Sequence, residues 1–532
     1  MAYRGGYDDG YEGFFQVPDY VKQWAYFFYR HIRHRNIPEI ESMYEVSFLK
    51  LSDRFYKAAP WPEVKYIAEV VDQDHVFCLL YKEMYFRHLY ARCQPTLRDR
   101  CDSWDNYCDL FGLLLTSNVN MQLPNIWLWD MVDEFLYQFQ SFCQYRGKVQ
   151  SMSPEEIENL KKCEVKKVWN TIEVLNILQA LVDKSGIVAE LEGDGGARLC
   201  ELKGYYPQSS NVLRMLGYFS LTGLMRVHCL VGDYYTALKA VYPLNLHERT
   251  HLFTPCILGA HITLFYYGGF SYLMQRRYLD AARCFNAVLL HIYRVKGEYR
   301  SSPQFEQILK KNEQMYQLLA ICLALCPAAA KSLDENVLMQ LRERHSENMA
   351  AMGRGDIDVY DSLFRDACPK FVTSTPPAYD QATTNTNQLA FRAQLNSFLL
   401  EVRSQQTLPQ LKQYLLLYSS ISLTRLAALM DCDEAALRQQ LLCLKNKQRQ
   451  LKWDGGKDMT AGTWTVASDL EFHIDVDPES GSEMVMVSDT QQVATYAPFL
   501  AHHISRFEDI IRDLSLPPPV AAAAAAPAAA RA

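Results

Sequence analysis

Two stretches of this chain, forty-four residues apart, repeat one arrangement, and the repetition constrains the fold more than any other feature. Residues 217–238 read GYFSLTGLMRVHCLVGDYYTAL, and residues 267–282 read YGGFSYLMQRRYLDAA. In each, a Gly-aromatic helix runs into a basic or glycine turn and then into Tyr-x-x-Ala: Tyr234 with Ala237, Tyr278 with Ala281. Small residues at such positions let paired helices approach, and the tyrosine fills the gap between them. Stacked helix pairs of this kind build tetratricopeptide-like solenoids. The period exceeds the ideal of about 34 residues, so the spacing predicts a degenerate helical solenoid.

Most of the remaining chain has the same helical character. From Tyr20 to about Lys184 the pattern is helical, and Ile67–Arg92 has no internal Gly or Pro. Within Pro124–Arg146, Trp127, Met131, Phe135, Phe139 and Phe142 step by four, four, four and three, which places them on one helix face. Pro124 suits a first helical turn. This stripe is expected to be core rather than a ligand box, and Asp130, Asp133 and Glu134 beside it are expected to form its solvated edge. Aromatic residues make up 12% of the chain, with 33 Tyr, consistent with large side chains wedged between helices. Further helices are predicted around 304–325, 334–346 and 389–404, the last following a Pro/Thr/Asn-rich loop at 369–388.

The expected organisation is as follows. Residues 1–16 are a disordered Gly/Tyr-rich N-terminus, 17–184 an N-terminal helical domain, and 185–210 a flexible connector containing Gly193, Gly195, Gly196 and Gly204. Residues 211–404 carry the repeats. Residues 405–488 form a winged-helix module, 490–514 a bundle helix, and 515–532 a disordered Ala/Pro tail. In the module, Leu408, Leu411, Leu415 and Leu416 mark one helix face, and Leu423, Leu426, Ala427 and Met430 a second. Asp431 with Glu434 predicts a capping-box-like start to a third helix that buries Leu437, Leu441 and Leu444. Asp469–Asp475 alternates as a half-buried strand, 478–481 turns, and Met484–Val487 returns.

Two surfaces of this C-terminal region are candidate contact sites. The third helix enters the major groove in DNA-binding winged helices. Here its exposed side would show Arg438, Gln440, Lys445, Lys447 and Arg449, with Lys452 just after, a modest basic patch suited to RNA or simply a solvated face. The last helix carries Val493, Ala497, Leu500, Ile504, Phe507, Ile511 and Leu514 at alternating steps of four and three, a heptad seam with Pro498 in the first turn. Such a helix either folds back on its own domain or joins a bundle with helices of other chains.

Composition limits the rest. The formal net charge is -7, from 54 basic and 61 acidic residues, so bulk charge does not hold this chain on nucleic acid. No apolar run reaches the ~18 residues of a membrane span, and the 15 cysteines include no CxxC pair, which fits reduced, mostly buried thiols in a cytoplasmic protein. His247-Glu248-Arg249-Thr250-His251 matches HExxH. A zinc hydrolase would need a third ligand, yet no Gly-x-x-His follows and the motif lies between Pro243 and Pro255. Gly455-Gly456-Lys457 precedes Asp458, where a phosphate loop needs Ser or Thr. No catalytic, cofactor or metal residue is assigned, and no enzyme activity is expected.

A solenoid capped by a winged helix and a trailing helix resembles the PCI family, whose members scaffold the proteasome lid, the COP9 signalosome and eukaryotic translation initiation factor 3. The resemblance is closest to the initiation factor members. It rests on LYKEMYFRHLYA (80–91), NYCDLF (106–111), LPNIWLWDMVDEFLYQFQSFCQYR (123–146), LVDKS (181–185), MLGYFSLTGLMRVHCLVGDYYTALK (215–239), FSYLMQRRYLDAARCF (270–285), KNEQMYQLLAICLAL (311–325) and CPKF (368–371). It covers roughly residues 20–515 in order, with the terminal tails and part of the 454–468 insertion departing from it. The resemblance implies a non-catalytic scaffold whose PCI domain runs from about Gly268 to Ser488. It implies a place in an octameric PCI/MPN core, pairing with the factor's K subunit near its E subunit. It also implies binding to the 40S ribosomal subunit through the complex, to assemble the 43S pre-initiation complex and recruit mRNA. The alternatives are an RNA-contacting winged-helix protein and a scaffold subunit of a lid or COP9-type complex.

Overall fold

The computed structural model describes residues 17–117, 119–194, 196–206, 209–244, 246, 252–297, 305–379, 385–456, 458–478, 481–488 and 496–515. HExxH, at 247–251, and both terminal tails lie outside the described residues. The chain divides into two compact units, residues 1–406 with 449–465, and residues 407–448 with 466–532.

The first unit is helical. It begins with α1 (Asp19–His34), α2 (Ile37–Ser42), α3 (Phe48–Phe55), α4 (His75–Arg92), α5 (Leu97–Thr116), α6 (Asn125–Arg146), α7 (Pro154–Val165) and α8 (Thr171–Ser185). Local chemistry sets these boundaries. Helix α4 starts at His75 rather than Ile67 because Asp72 and Gln73 take positive φ, and the Asp74 carboxylate then accepts the Phe77 N–H at 2.9 Å. Thr96 with Asp99 and Ser153 with Glu156 form capping boxes for α5 and α7. Pro124 sits at the N-cap of α6, one position before the first turn.

The α6 stripe is core: Trp127, Met131, Phe135, Phe139 and Phe142 are fully buried. Trp127 stacks on Phe28 and Tyr44 with ring centroids 5.4 and 5.0 Å apart, and Phe135 meets Tyr107, Phe111 and Trp169 at 5.2–5.3 Å. Each such aromatic pair adds about 0.5–1.5 kcal/mol beyond burial.

The stretch 185–210, expected as a flexible connector, carries α9 (Ile187–Asp194) and α10 (Ala197–Glu201). Ile187, Leu191 and Leu199 are buried in the main core, so the apolar residues between the glycines outweigh the glycines' freedom. Helices α11 (Val212–Val231) with α12 (Tyr234–Ala240), and α13 (Leu258–Met274) with α14 (Tyr278–Val295), form the two repeats. Ala237 and Ala281 are fully buried. The series continues through α15 (Phe305–Leu325), α16 (Glu335–Gly353), α17 (Ile357–Ala367), which the apolar pattern did not single out, and α18 (Leu389–Gln405), each packing on neighbours along the stack. Residues 449–465 belong to this unit, where β2 (Arg449–Lys452) pairs with β3 (Thr463–Val466).

The second unit is the winged helix: α19 (Leu408–Leu417), β1 (Ser420–Ser422), α20 (Leu423–Leu429), α21 (Glu434–Gln448), β4 (Glu471–Val476) and β5 (Glu483–Ser488), followed by α22 (Tyr496–Ser515). Its antiparallel sheet has the order β1-β5-β4, with Ile421 and Ile474 both opposite Val485. Strand β1, at three residues, is too short to leave a periodic signal. Leu411, Leu415, Leu426, Leu437, Leu441 and Val485 fill the core. Leu416 is 63% exposed, off the face that its sequence neighbours share. Asp431 does not open α21. It takes φ 52° after α20, where the Cys432 N–H returns to the Ala427 carbonyl, and Asp433 supplies the first carbonyl of α21. The fold is thus mainly α, stacked helix pairs together with a winged-helix unit.

Candidate protein-interaction site

Helix α22 presents apolar side chains to solvent. Pro498 falls in its first turn, where a missing N–H costs no helical hydrogen bond. Of the seam, Leu500, Ile504, Phe507 and Ile511 are 55%, 58%, 61% and 62% exposed, and Phe499 and Ile510 widen the stripe. The side chains of Ala497 and Leu514 lie outside the described residues, as does Val493. Four large apolar residues on one face would each gain on the order of 1.5–3 kcal/mol on full burial. A stripe of this kind is a candidate interaction surface.

The six basic-patch residues do not share one element. Helix α21 ends at Gln448, so Arg449 and Lys452 lie on β2 and belong to the helical unit, while Arg438, Gln440, Lys445 and Lys447 stay on α21. Arg438 pairs with Glu483 of β5. Lys445 Nζ donates to the Phe472 carbonyl at 2.7 Å and sits 5.5 Å from that residue's ring centre, so its charge is engaged inside its own unit. Gln440 is half-buried. Lys452 lines a half-open cavity of about 660 Å³ together with Arg283, Cys284, Trp453, Thr463 and Thr465.

The carboxylates beside the α6 stripe are not a solvated edge. Glu83 is fully buried, accepts the Trp127 indole N–H at 3.0 Å, and pairs with Arg87. Asp130 accepts the Tyr44 hydroxyl at 2.8 Å and an Arg87 N–H at 3.3 Å. Glu134 accepts the Gln138 amide at 2.8 Å. Burial pushes Asp130 and Glu134 up to about 7, with Arg87 opposing the rise, and pushes Glu83 well above the usual carboxylate range. Asp133 is the half-exposed member and pairs with Arg226 of α11. Arginine, indole, phenol and amide donors fill the acceptors of this cluster, which serves packing between α4, α6 and α11. The sequence signal was the i, i+3, i+4 spacing of Asp130, Asp133 and Glu134, which puts part of the set against α4; Glu83 and Arg87 complete it from 43 residues or more away in the chain. Among the described residues no group of three or more His, Cys, Asp or Glu side chains is placed to hold a metal ion, and no helix is long and apolar enough to cross a membrane.

Residues 99–507 match the family model described as RNA polymerase I-associated factor PAF67. Curated relatives match over most of their length. The eukaryotic translation initiation factor 3 subunit L of Nematostella vectensis is 42% identical over 523 residues, covering 96% of this chain and 97% of that protein. The subunit L of Danio rerio is 41% identical over 90% of this chain and 82% of its own length, and that of Anopheles gambiae 39% identical over 96% and 98%. The stretches quoted above point to the same L-type subunit. The chain belongs to the eukaryotic translation initiation factor 3 subunit L family.

Proposed function

We propose that this chain is a non-catalytic, PCI-type scaffold subunit of eukaryotic translation initiation factor 3, acting in the cytoplasm. In this reading its neighbours are other subunits of the factor, the K subunit as direct partner and the E subunit nearby. Through the assembled factor it serves the 40S ribosomal subunit, helping to build the 43S pre-initiation complex and recruit mRNA. The observation that carries the reading is the exposed seam Leu500, Ile504, Phe507 and Ile511 on α22. Membership of the subunit L family supports sister subunits of the factor as the source of the covering helices. The mechanism is assembly: a solvent-facing heptad stripe buries itself in a bundle with helices of sister subunits, which offsets the entropy lost on docking.

The test replaces Leu500, Ile504 and Phe507 together by Asp in a tagged full-length chain. The expected result is loss of co-purifying initiation factor 3 subunits, identified by mass spectrometry, with the thermal unfolding of the isolated chain unchanged. Recovery of the intact factor with the triple variant would show that α22 does not tether the subunit.

A further inference from the structure

Cys101, in the second turn of α5, and Cys163, in the last turn of α7, face each other with their sulfurs 3.1 Å apart. Both are unbonded thiols. The gap is only about 1 Å longer than a disulfide bond. Cys101 is partly exposed, and Cys163 is buried at 9% exposure, so the pair meets solvent on the Cys101 side.

The two thiols differ in character. The sulfurs share one hydrogen bond in which either can donate; that bond, with burial adding to it, raises the Cys101 pKa and so favours Cys101 as the protonated partner. The same hydrogen bond lowers Cys163 to about 7, with Lys166 helping and burial opposing. Cys163 therefore has the thiolate character of an attacking sulfur, and Cys101 is placed as the resolving thiol. Helix α7 buries only Leu160 and Cys163, so few apolar contacts oppose the closing of the sulfur–sulfur gap by about 1 Å.

We propose that Cys101 and Cys163 form a vicinal dithiol that closes to an intramolecular disulfide on exchange with a small disulfide of the oxidised-glutathione class. The Cys163 thiolate attacks one sulfur of the reagent, forming a mixed disulfide and expelling one thiolate, which takes up a proton. Cys101 gives its proton to water and attacks the Cys163 sulfur, expelling the second thiolate. Two protein thiols are oxidised and one small disulfide is reduced to two small thiols. The product ties α7 to α5 across 62 residues of chain and removes unfolded-state freedom.

The experiment incubates the folded full-length chain with oxidised glutathione, blocks remaining thiols, and maps peptides under non-reducing conditions. The expected result is a peptide linking Cys101 to Cys163 that is lost on reduction, with the thermal midpoint of the oxidised chain several degrees higher. Cys101→Ser should instead stop at a stable mixed disulfide on Cys163, and Cys163→Ser should leave Cys101 largely unmodified. If wild-type chain stops at the mixed disulfide, or the linked peptide joins Cys163 to another cysteine, the proposal is overturned.

Discussion

Arg277 and Asp280, at the start of α14, form a buried ion pair at 2.9 Å that also binds the 449–465 segment. The Arg277 guanidinium donates to the Met459, Thr460 and Ala461 carbonyls at 2.9–3.0 Å, and the Asp280 carboxylate accepts the Trp453 N–H at 2.9 Å. Gln450 adds to this by accepting the Tyr278 N–H at 3.0 Å, and Tyr272 by donating to Met459 at 2.9 Å. The strand-loop-strand segment thus belongs to the second repeat by a polar clamp rather than by apolar burial alone.

Arg277→Ala leaves the buried Asp280 carboxylate with only the more distant Arg283, at 3.6 Å, and takes their guanidinium donor from the Thr460 and Ala461 carbonyls, while Met459 keeps the Tyr272 hydroxyl. The expected destabilisation is about 3–5 kcal/mol in urea unfolding, with new protease cuts within 453–461. The double replacement Arg277→Met with Asp280→Leu should cost less than the single Arg277→Ala, because it leaves no orphaned charge. A single-variant loss below about 1 kcal/mol would mean the clamp is water-filled in solution.

The carboxylates Asp130 and Glu134 make stability depend on pH in an unusual direction. Their folded-state values, about 7, lie above the unfolded values of roughly 4. Between those limits the folded chain binds more protons than the unfolded chain. Their contribution is therefore fully present below about pH 4 and is lost as pH rises through about 7. Asp130→Asn with Glu134→Gln should remove this loss, so that the variant gains on wild type by on the order of 2–4 kcal/mol between pH 5 and pH 8. Denaturation curves at several pH values measure the difference; a constant difference would place these groups in solvent.

Much of this architecture was legible in the sequence because it follows from spacing. The α6 stripe, the Tyr234/Ala237 and Tyr278/Ala281 repeats, and Leu437, Leu441 and Leu444 of α21 occupy the positions that helical periodicity gives them. What escaped depends on partners distant in the chain. The burial of Asp130 and Glu134 requires Glu83 and Arg87 on α4. The attachment of 449–465 requires Arg277, 182 residues before Met459. A carboxylate three residues before Glu434 fits a cap and a turn alike, and only the backbone φ places Asp431 in the turn. The α22 seam was legible as a heptad, while its exposure is a property of the folded chain.

Glycines at helix crossings give a contrasting pair of tests. A Cβ on Gly217 of α11 would lie 2.1 Å from the Ser185 hydroxyl and 3.0 Å from the Leu181 carbonyl of α8. The Gly217→Ala variant should therefore lose about 1–3 kcal/mol, since the α8 backbone has to move. On α5, Gly112 has no neighbour within 4 Å of the same position. There Ala removes unfolded-state entropy and should gain about 0.5–1 kcal/mol. Thermal melts of the two variants should shift in opposite directions.

The basic residues of α21 are predicted to matter for folding more than for nucleic-acid binding. Lys445→Met removes the hydrogen bond to the Phe472 carbonyl, which joins α21 to β4, and should destabilise the winged helix by about 1 kcal/mol. Arg438, already paired with Glu483, has little charge to offer a phosphate. Reversing Arg438 and Lys447 to Glu in the assembled factor should then leave the salt dependence of 40S binding unchanged. Two lost phosphate contacts to single-stranded or duplex RNA would instead flatten the log–log salt slope by roughly 0.7–0.9 each. Such flattening, measured by titration at several salt concentrations, would return α21 to the role of an RNA-contacting helix.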